Sequence, residues 1–265
     1  MKKILINLFI LSLFGIFITS CSEDPVKPPV NNKGEGNKYF PLKTGSWWTY
    51  TNYTLDRDGN KIETSVFTSK YIIGGTETKG GKTAYIFNIQ DLQGNKIDDS
   101  KFYYTTETQL FEFSKLLPPM DFAIPVNIPE TWYNIADQNG TEWTLYTEDL
   151  DKVEFVFMGY TLLLDDVFEI KAKYEGTETV TYGANLDKTV EAKKFKINYK
   201  FGGNTLLAGT IPVQIPFDVE AIYHYAENIG LVKQEMKPMS IVIIGTEYYY
   251  LPGSVQVLLE YNIAQ

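Results

Sequence analysis

A domain built almost wholly of β-strands is predicted by three observations. Thr, Tyr, Val, Phe and Ile, which favour pleated structure, recur from Tyr39 to the C-terminus. Several stretches alternate apolar and polar residues with a period of two. Glycine-bearing turns interrupt the chain at short intervals: Asp58-Gly59-Asn60, Gly74-Gly75, Lys79-Gly80-Gly81, Gln93-Gly94-Asn95, Asn139-Gly140 and Gly202-Gly203-Asn204. The class is mainly β, as one large antiparallel meandering sheet. That sheet is either strongly curved into an incomplete barrel or folded as a sandwich.

The N-terminus precedes this domain and differs from it. Lys2 and Lys3 form a basic head, and residues 4–18 run through Leu, Ile and Phe. Thr19 and Ser20 are small, and Cys21 follows. A basic head, a short apolar core and small residues before a cut describe a secretory signal over residues 1–20. The apolar run is shorter than the roughly 20 residues of a spanning helix. Ile18-Thr19-Ser20-Cys21 resembles the lipobox of bacterial lipoproteins. That resemblance implies cleavage before Cys21, a diacylglyceryl thioether on its sulfur and an acyl chain on its amine. Such a double attachment holds a membrane firmly, where a single chain is marginal. Ser22, Glu23 and Asp24 resemble the export signal of surface lipoproteins in the Bacteroidetes. They point to an outer-membrane anchor with a lean towards the cell surface.

Removal of Lys2 and Lys3 with the signal takes the formal charge from -9 to -11. An acidic surface excludes nucleic acid as the expected partner, because phosphate binding needs Lys and Arg. It also leaves attachment to the acyl chains on Cys21 and not to anionic lipid heads. Cys21 is the only cysteine, so no disulfide is available and the domain relies on its core. Residues 21–38 form the lipidated cysteine and a tether. Within it, residues 25–37 hold three Pro, two Gly and three Asn and almost nothing to bury. The single β domain is expected over residues 39–265.

The clearest alternations are Phe168 to Glu175 and Lys194 to Phe201. In the first, Phe168, Ile170, Ala172 and Tyr174 oppose Glu169, Lys171, Lys173 and Glu175. In the second, Phe195, Ile197, Tyr199 and Phe201 oppose Lys194, Lys196, Asn198 and Lys200. One polar face on each means an antiparallel sheet with one side wet. No long helix is expected. Asp137 to Asp151 is broken by Gly140 and threonines, and Leu162 to Ile170 continues into alternation.

Leu116 to Trp132 breaks the pattern with four Pro and nine other apolar residues. Prolines forbid an interior strand there. Two readings stand: a loop sealing one end of the core, or the hydrophobic rim of a ligand cavity. Leu116, Leu117, Met120, Phe122, Ile124 and Val126 are the rim candidates. Leu206 to Phe217 has a similar character and adds Ile211, Ile215 and Phe217 across such a mouth.

Tyr39 to Tyr50, "YFPLKTGSWWTY", resembles a recurring opening of uncharacterised bacterial outer-membrane lipoproteins. The matching residues are Phe40, Pro41, Leu42, Lys43, Gly45, Trp48 and Tyr50. Tyr225 to Glu235, "YAENIGLVKQE", resembles their closing motif, and Val257 to Ile263 their last strand. Val190 to Tyr199 sits where those proteins place the preceding strand. The group is associated with LolA/LolB-like and DUF3108-like folds. The resemblance implies a curved sheet whose concave side holds acyl chains.

Catalytic chemistry has little to stand on. His224 is the only histidine, no serine sits in G-x-S-x-G, and Cys21 is taken by lipid. Zinc would need a cluster of His and Cys, and the acidic loops near Asp56 and Asp98 lack the spacing of a calcium loop. A non-enzymatic protein without metal or cofactor is expected. Its ligand is either apolar or lipid-like, on a concave sheet, or a glycan bound by a surface adhesion module with aromatic faces. Replacing Cys21 with Ser is expected to abolish incorporation of a clickable palmitate analogue in cells and to move the protein out of the membrane fraction.

Overall fold

The computed structural model describes residues 37–118, 125–157, 160–201, 204–207, 211–214, 217–243 and 245–265. The strands are β1 (Trp47–Leu55), β2 (Phe67–Lys79), β3 (Lys82–Gln90), β4 (Lys101–Thr105), β5 (Gln109–Ser114), β6 (Thr131–Asp137), β7 (Glu142–Phe157) and β8 (Tyr160–Tyr182). They continue as β9 (Lys188–Phe201), β10 (Asn204–Leu207), β11 (Ile211–Gln214), β12 (Phe217–Ala226), β13 (Gly230–Met236), β14 (Met239–Ile243), β15 (Thr246–Leu251) and β16 (Gly253–Asn262). Glu63–Ser65 forms a single 3-10 turn.

Twelve strands run in the order β7-β8-β9-β12-β13-β16-β1-β2-β3-β4-β5-β6, each antiparallel to its neighbours. The sheet curls until it is nearly closed into a barrel, so the sandwich alternative is not adopted. The hairpin β10–β11 extends it where β10 pairs with the start of β8, and β14–β15 forms a separate two-stranded sheet. Leu206 to Phe217, expected as a connection, therefore contains two short strands. Pro212 is tolerated because β11 is an edge strand.

The period-two pattern sets the wall. Ile170 stands opposite Tyr199 and Ala172 opposite Ile197, all buried and facing inward. Outside, Glu175 lies among Lys173, Lys194 and Lys196 at 3.8, 3.7 and 3.5 Å. Such exposed pairs contribute little to stability, so the inward face carries the fold.

One end of the barrel is stoppered. The turns β4–β5, β6–β7 and β12–β13 all lie at the end where β1 begins, here called the base. Phe40 and Leu42 enter the lumen there and are 2% and 4% exposed. The Phe40 ring meets Tyr225 edge-on at 4.8 Å and Phe195 at 6.4 Å. Asn37 fastens the segment to two of the turns. Its Nδ2 donates to the Glu107 carbonyl at 2.7 Å, and its Oδ1 accepts from Gln138 Nε2 at 2.8 Å. Asn228 N, in the third turn, donates to the Lys38 carbonyl. Trp48 is buried and Trp47 faces outward with Lys70 Nζ 4.4 Å from its ring.

The seam of the barrel falls between β6 and β7, which are consecutive in the chain yet form the two edges of the sheet. Trp143 bridges them, its Nε1 donating to the Asn134 carbonyl at 2.6 Å. Gly140 is required beside it, since a Cβ there would meet the indole at 2.9 Å. Part of the Pro-rich segment covers the seam. Asn127 N donates to Glu148 Oε2 at 3.1 Å, the Tyr146 hydroxyl donates to the Asn127 carbonyl, and Ile128 is buried. Truncating Phe40 to Ala should destabilise the barrel by about 3–5 kcal/mol, the usual range for a buried Phe; urea unfolding measures it.

Candidate functional site: a chamber in the upper barrel

At the base, the lumen is packed by aromatic rings around Phe40 and Leu42, leaving a void of only about 60 Å³. At the opposite end the strands line an open-mouthed chamber of about 600 Å³. The residues that line it come from β4, β5, β6, β9, β12, β13 and β16, so it lies inside the barrel. Ile135, Ile197, Ala221, Met236 and Leu116 form an apolar wall. Lys101, Glu112, Tyr199, Tyr223 and Gln234 add polar groups, interleaved with the apolar ones on β9, β12 and β13. Asp98, Asp99, Lys115 and Leu117 stand at the rim.

Register explains the polar groups. On β4, Lys101 and Tyr103 share the inward face; on β5, Glu112 stands directly opposite Tyr103. The Tyr103 hydroxyl donates to Glu112 Oε2 at 3.1 Å. The charge of Glu112 pushes the Lys101 ammonium above its ordinary value, against the effect of burial. Lys101 is therefore a cation at neutral pH. Burial pushes the hydroxyls of Tyr103, Tyr199 and Tyr223 up, and Glu112 adds to each shift. These tyrosines stay protonated and act as donors. One carboxylate thus influences groups on β4, β9 and β12, which places them around one space.

Leu116 and Leu117 sit at this chamber. Leu116 is buried and Leu117 is 64% exposed. Leu116 adopts φ +45°, a left-handed conformation that costs a leucine about 1–2 kcal/mol. Its N–H accepts help from Ser114, donating to Oγ at 3.2 Å. Val126 packs half-buried against the core. Phe217 opens β12 at the chamber end and is 1% exposed within the packed core. Ile211 begins the edge strand β11. Met120, Phe122, Ile124 and Ile215 lie outside the described residues, as do Cys21, Ser22, Glu23 and Asp24. By strand direction, β5 and β9 end at the chamber end and β6 and β12 begin there.

Lys101 and Glu112 were not among the sequence candidates. The signal lies in an inversion. Phe102 and Tyr104 on β4 and Phe111 and Phe113 on β5 occupy the outer face, with Trp132 of β6 beside them. Their faces are largely used on one another: Tyr104 stacks on Phe111 at 4.4 Å, and Trp132 meets Tyr104 and Phe113 edge-on at 4.7 and 5.2 Å. Aromatic rings outside and charges inside reverse the usual distribution.

His224 lies on the outer face of β12. Its side chain is 3% exposed, because the far end of the β8–β9 hairpin lies against β13 and β16, where Gly183 N donates to the Leu258 carbonyl. His224 Nε2 bonds Glu178 Oε1 at 2.6 Å, and Nδ1 has no partner among the described residues. No hydroxyl is hydrogen-bonded to the ring among the described residues, so the nucleophile of a hydrolytic triad is missing. The Asp56 and Asp91 loops are matching turns. In each, the carboxylate accepts backbone N–H groups two and four residues on. These bonds and those from Asn60 and Asn95 hold both carboxyls below their ordinary value. Among the described residues no group of three or more His, Cys, Asp and Glu converges on one point.

No protein-family model and no curated protein matches the chain. Two solved structures resemble it distantly. One is a candidate lipoprotein of Parabacteroides distasonis, 17% identical, with a TM-score of 0.43 over 86% of this chain and 99% of that one. The other is a candidate exported protein of Bacteroides fragilis with a YmcC-like fold, 14% identical, with a TM-score of 0.37 over 84% and 98% of the two chains. No residue role is carried over from either.

Burial lowers the affinity of His224 for a proton, outweighing the pull of Glu178, and Lys233 and Lys194 act in the same direction as burial. The unfolded chain then protonates first as pH falls. Stability linked to this group is full above about 6.5 and lost as pH drops below it. In urea titrations between pH 7.5 and 5.5, His224→Gln should show a shallower decline than the wild type.

Proposed function

We propose that the protein is a lipid-anchored envelope barrel that holds one small amphipathic molecule in its upper lumen. A chamber of about 600 Å³ in a barrel whose base is packed solid carries this reading. The volume lies in the range of small-molecule sites, roughly 300–1,000 Å³. A lining that mixes apolar and polar side chains matches a molecule with an apolar body and a polar head. A purely aliphatic occupant fits less well, since it would strip water from Lys101 and Glu112 and return no hydrogen bonds.

The signal over residues 1–20 and the Cys21 lipobox support an envelope location. Ser22, Glu23 and Asp24 favour the outer membrane and its outer surface. In this reading the acyl chains on Cys21 hold the membrane, and the barrel performs binding without chemistry: the His224–Glu178 couple has no nucleophile and lies outside the lumen. The glycan-binding alternative depends on open aromatic faces, and those of the outer cluster are occupied by each other.

The test is uptake of the fluorescent amphiphile N-phenyl-1-naphthylamine by the purified mature protein. The wild type should bind one molecule, displaced by natural lipid extracts of the envelope. Gln234→Trp, which fills the chamber without touching the base, should abolish the signal while leaving the unfolding midpoint near that of the wild type. Undiminished uptake by that variant would overturn the reading.

A further inference from the structure

The chamber contains an unequal set of polar groups. Among the described residues, no carboxylate stands within ion-pairing distance of Lys101, and no hydrogen bond ties its ammonium. Glu112 is close enough to raise the Lys101 proton affinity, yet too far to pair with it directly. Glu112 Oε2 is taken by Tyr103, while Oε1 has no hydrogen bond. The hydroxyls of Tyr199 and Tyr223 have no acceptor among the described residues, although both face the same space. These groups open onto the accessible space of the chamber, where water or a ligand completes them.

We infer that the molecule held in the chamber carries a carboxylate that pairs with Lys101 and, beside it, an ammonium or hydroxyl donor that Glu112 accepts. This rests on the chamber being a binding site. The charge balance selects the head group. Lys101 and Glu112 together are neutral, so an anion alone would satisfy one and be repelled by the other. A head with both an acceptor and a donor fills the gap between them and leaves the interior neutral. Tyr199 and Tyr223 then donate to the remaining carboxylate lone pairs. The apolar body lies along Ile135, Ile197 and Met236 towards Leu116 and the rim. The ligand class is an amphipathic amino- or hydroxy-carboxylate.

Titration calorimetry of the mature protein in lipid nanodiscs, with 2-aminooctanoate, octanoate and octan-1-ol, tests the assignment. The three share an apolar tail and differ in the head. The wild type should bind 2-aminooctanoate about tenfold or more tighter than octan-1-ol, as one charge-assisted hydrogen bond allows. Lys101→Met should remove that preference, and Lys101→Arg should keep it. Glu112→Gln should remove the preference for 2-aminooctanoate over octanoate. A wild-type protein that binds all three alike, or a Lys101→Met variant that keeps the preference, overturns the inference and leaves the chamber as a site. A wild type that binds none of the three overturns the chamber reading and this inference with it.

Discussion

Phe40 and Leu42, held in the base of the barrel, decide which part of its interior is solid. A sheet of twelve strands encloses more space than its own side chains fill. Here an extended N-terminal segment supplies the missing volume at one end only. Asn37 fixes that segment by bonding the Glu107 carbonyl and the Gln138 amide, and Lys193 Nζ reaches Gln138 Oε1 at 2.8 Å. Two turns and β9 are thus drawn together under the stopper. Above it, Trp48, Tyr50 and Tyr225 close the floor, with the Tyr50 hydroxyl donating to the Leu231 carbonyl.

The upper lumen follows from the same constraint. At the other end the hairpin β14–β15 buries Ile241 against the core, and inward residues of β4, β5, β12 and β13 line the chamber. Residues with polar heads are tolerable there because the space is large enough to hydrate or occupy. Lys101 and Glu112 would be hard to place in a packed barrel. In a chamber there is room to hydrate both, and each raises the stakes of what fills it. In the proposed reading the two ends have separate tasks: the base holds the fold together, and the upper lining recognises a molecule.

Much of the fold is legible in the sequence, and the reasons are local. Alternation along Phe168 to Glu175 and Lys194 to Lys200 fixes which residues face inward, and Lys79-Gly80-Gly81 places the β2–β3 hairpin, whereas Gly74-Gly75, expected as a turn, lies inside β2 at a bulge. Closure is not legible. It depends on β16 meeting β1 and on β6 and β7 parting at the seam, and both are long-range outcomes without a local signature. The unpatterned apolar content of Leu116 to Trp132 marks the chamber end, where Leu116 and Leu117 stand. Lys101 and Glu112 escape a composition reading because single charged residues on short strands look like surface. Only the aromatic identity of their outward neighbours, Phe102, Phe111 and Phe113, hints that the faces are exchanged. His224 shows the converse: it occupies the outer face as its alternation with Tyr223 and Tyr225 requires, yet the β8–β9 hairpin buries it.

The contrast between a solid base and a hollow upper half is the central claim, and hydroxyl-radical footprinting of the mature protein measures it most directly. The account predicts oxidation at Tyr223, which faces the chamber, together with protection of Trp48, Tyr50 and Tyr225 around the stopper. Equal protection of all four would mean a barrel packed throughout, and equal oxidation would mean a lumen without a stopper; either result contradicts the account.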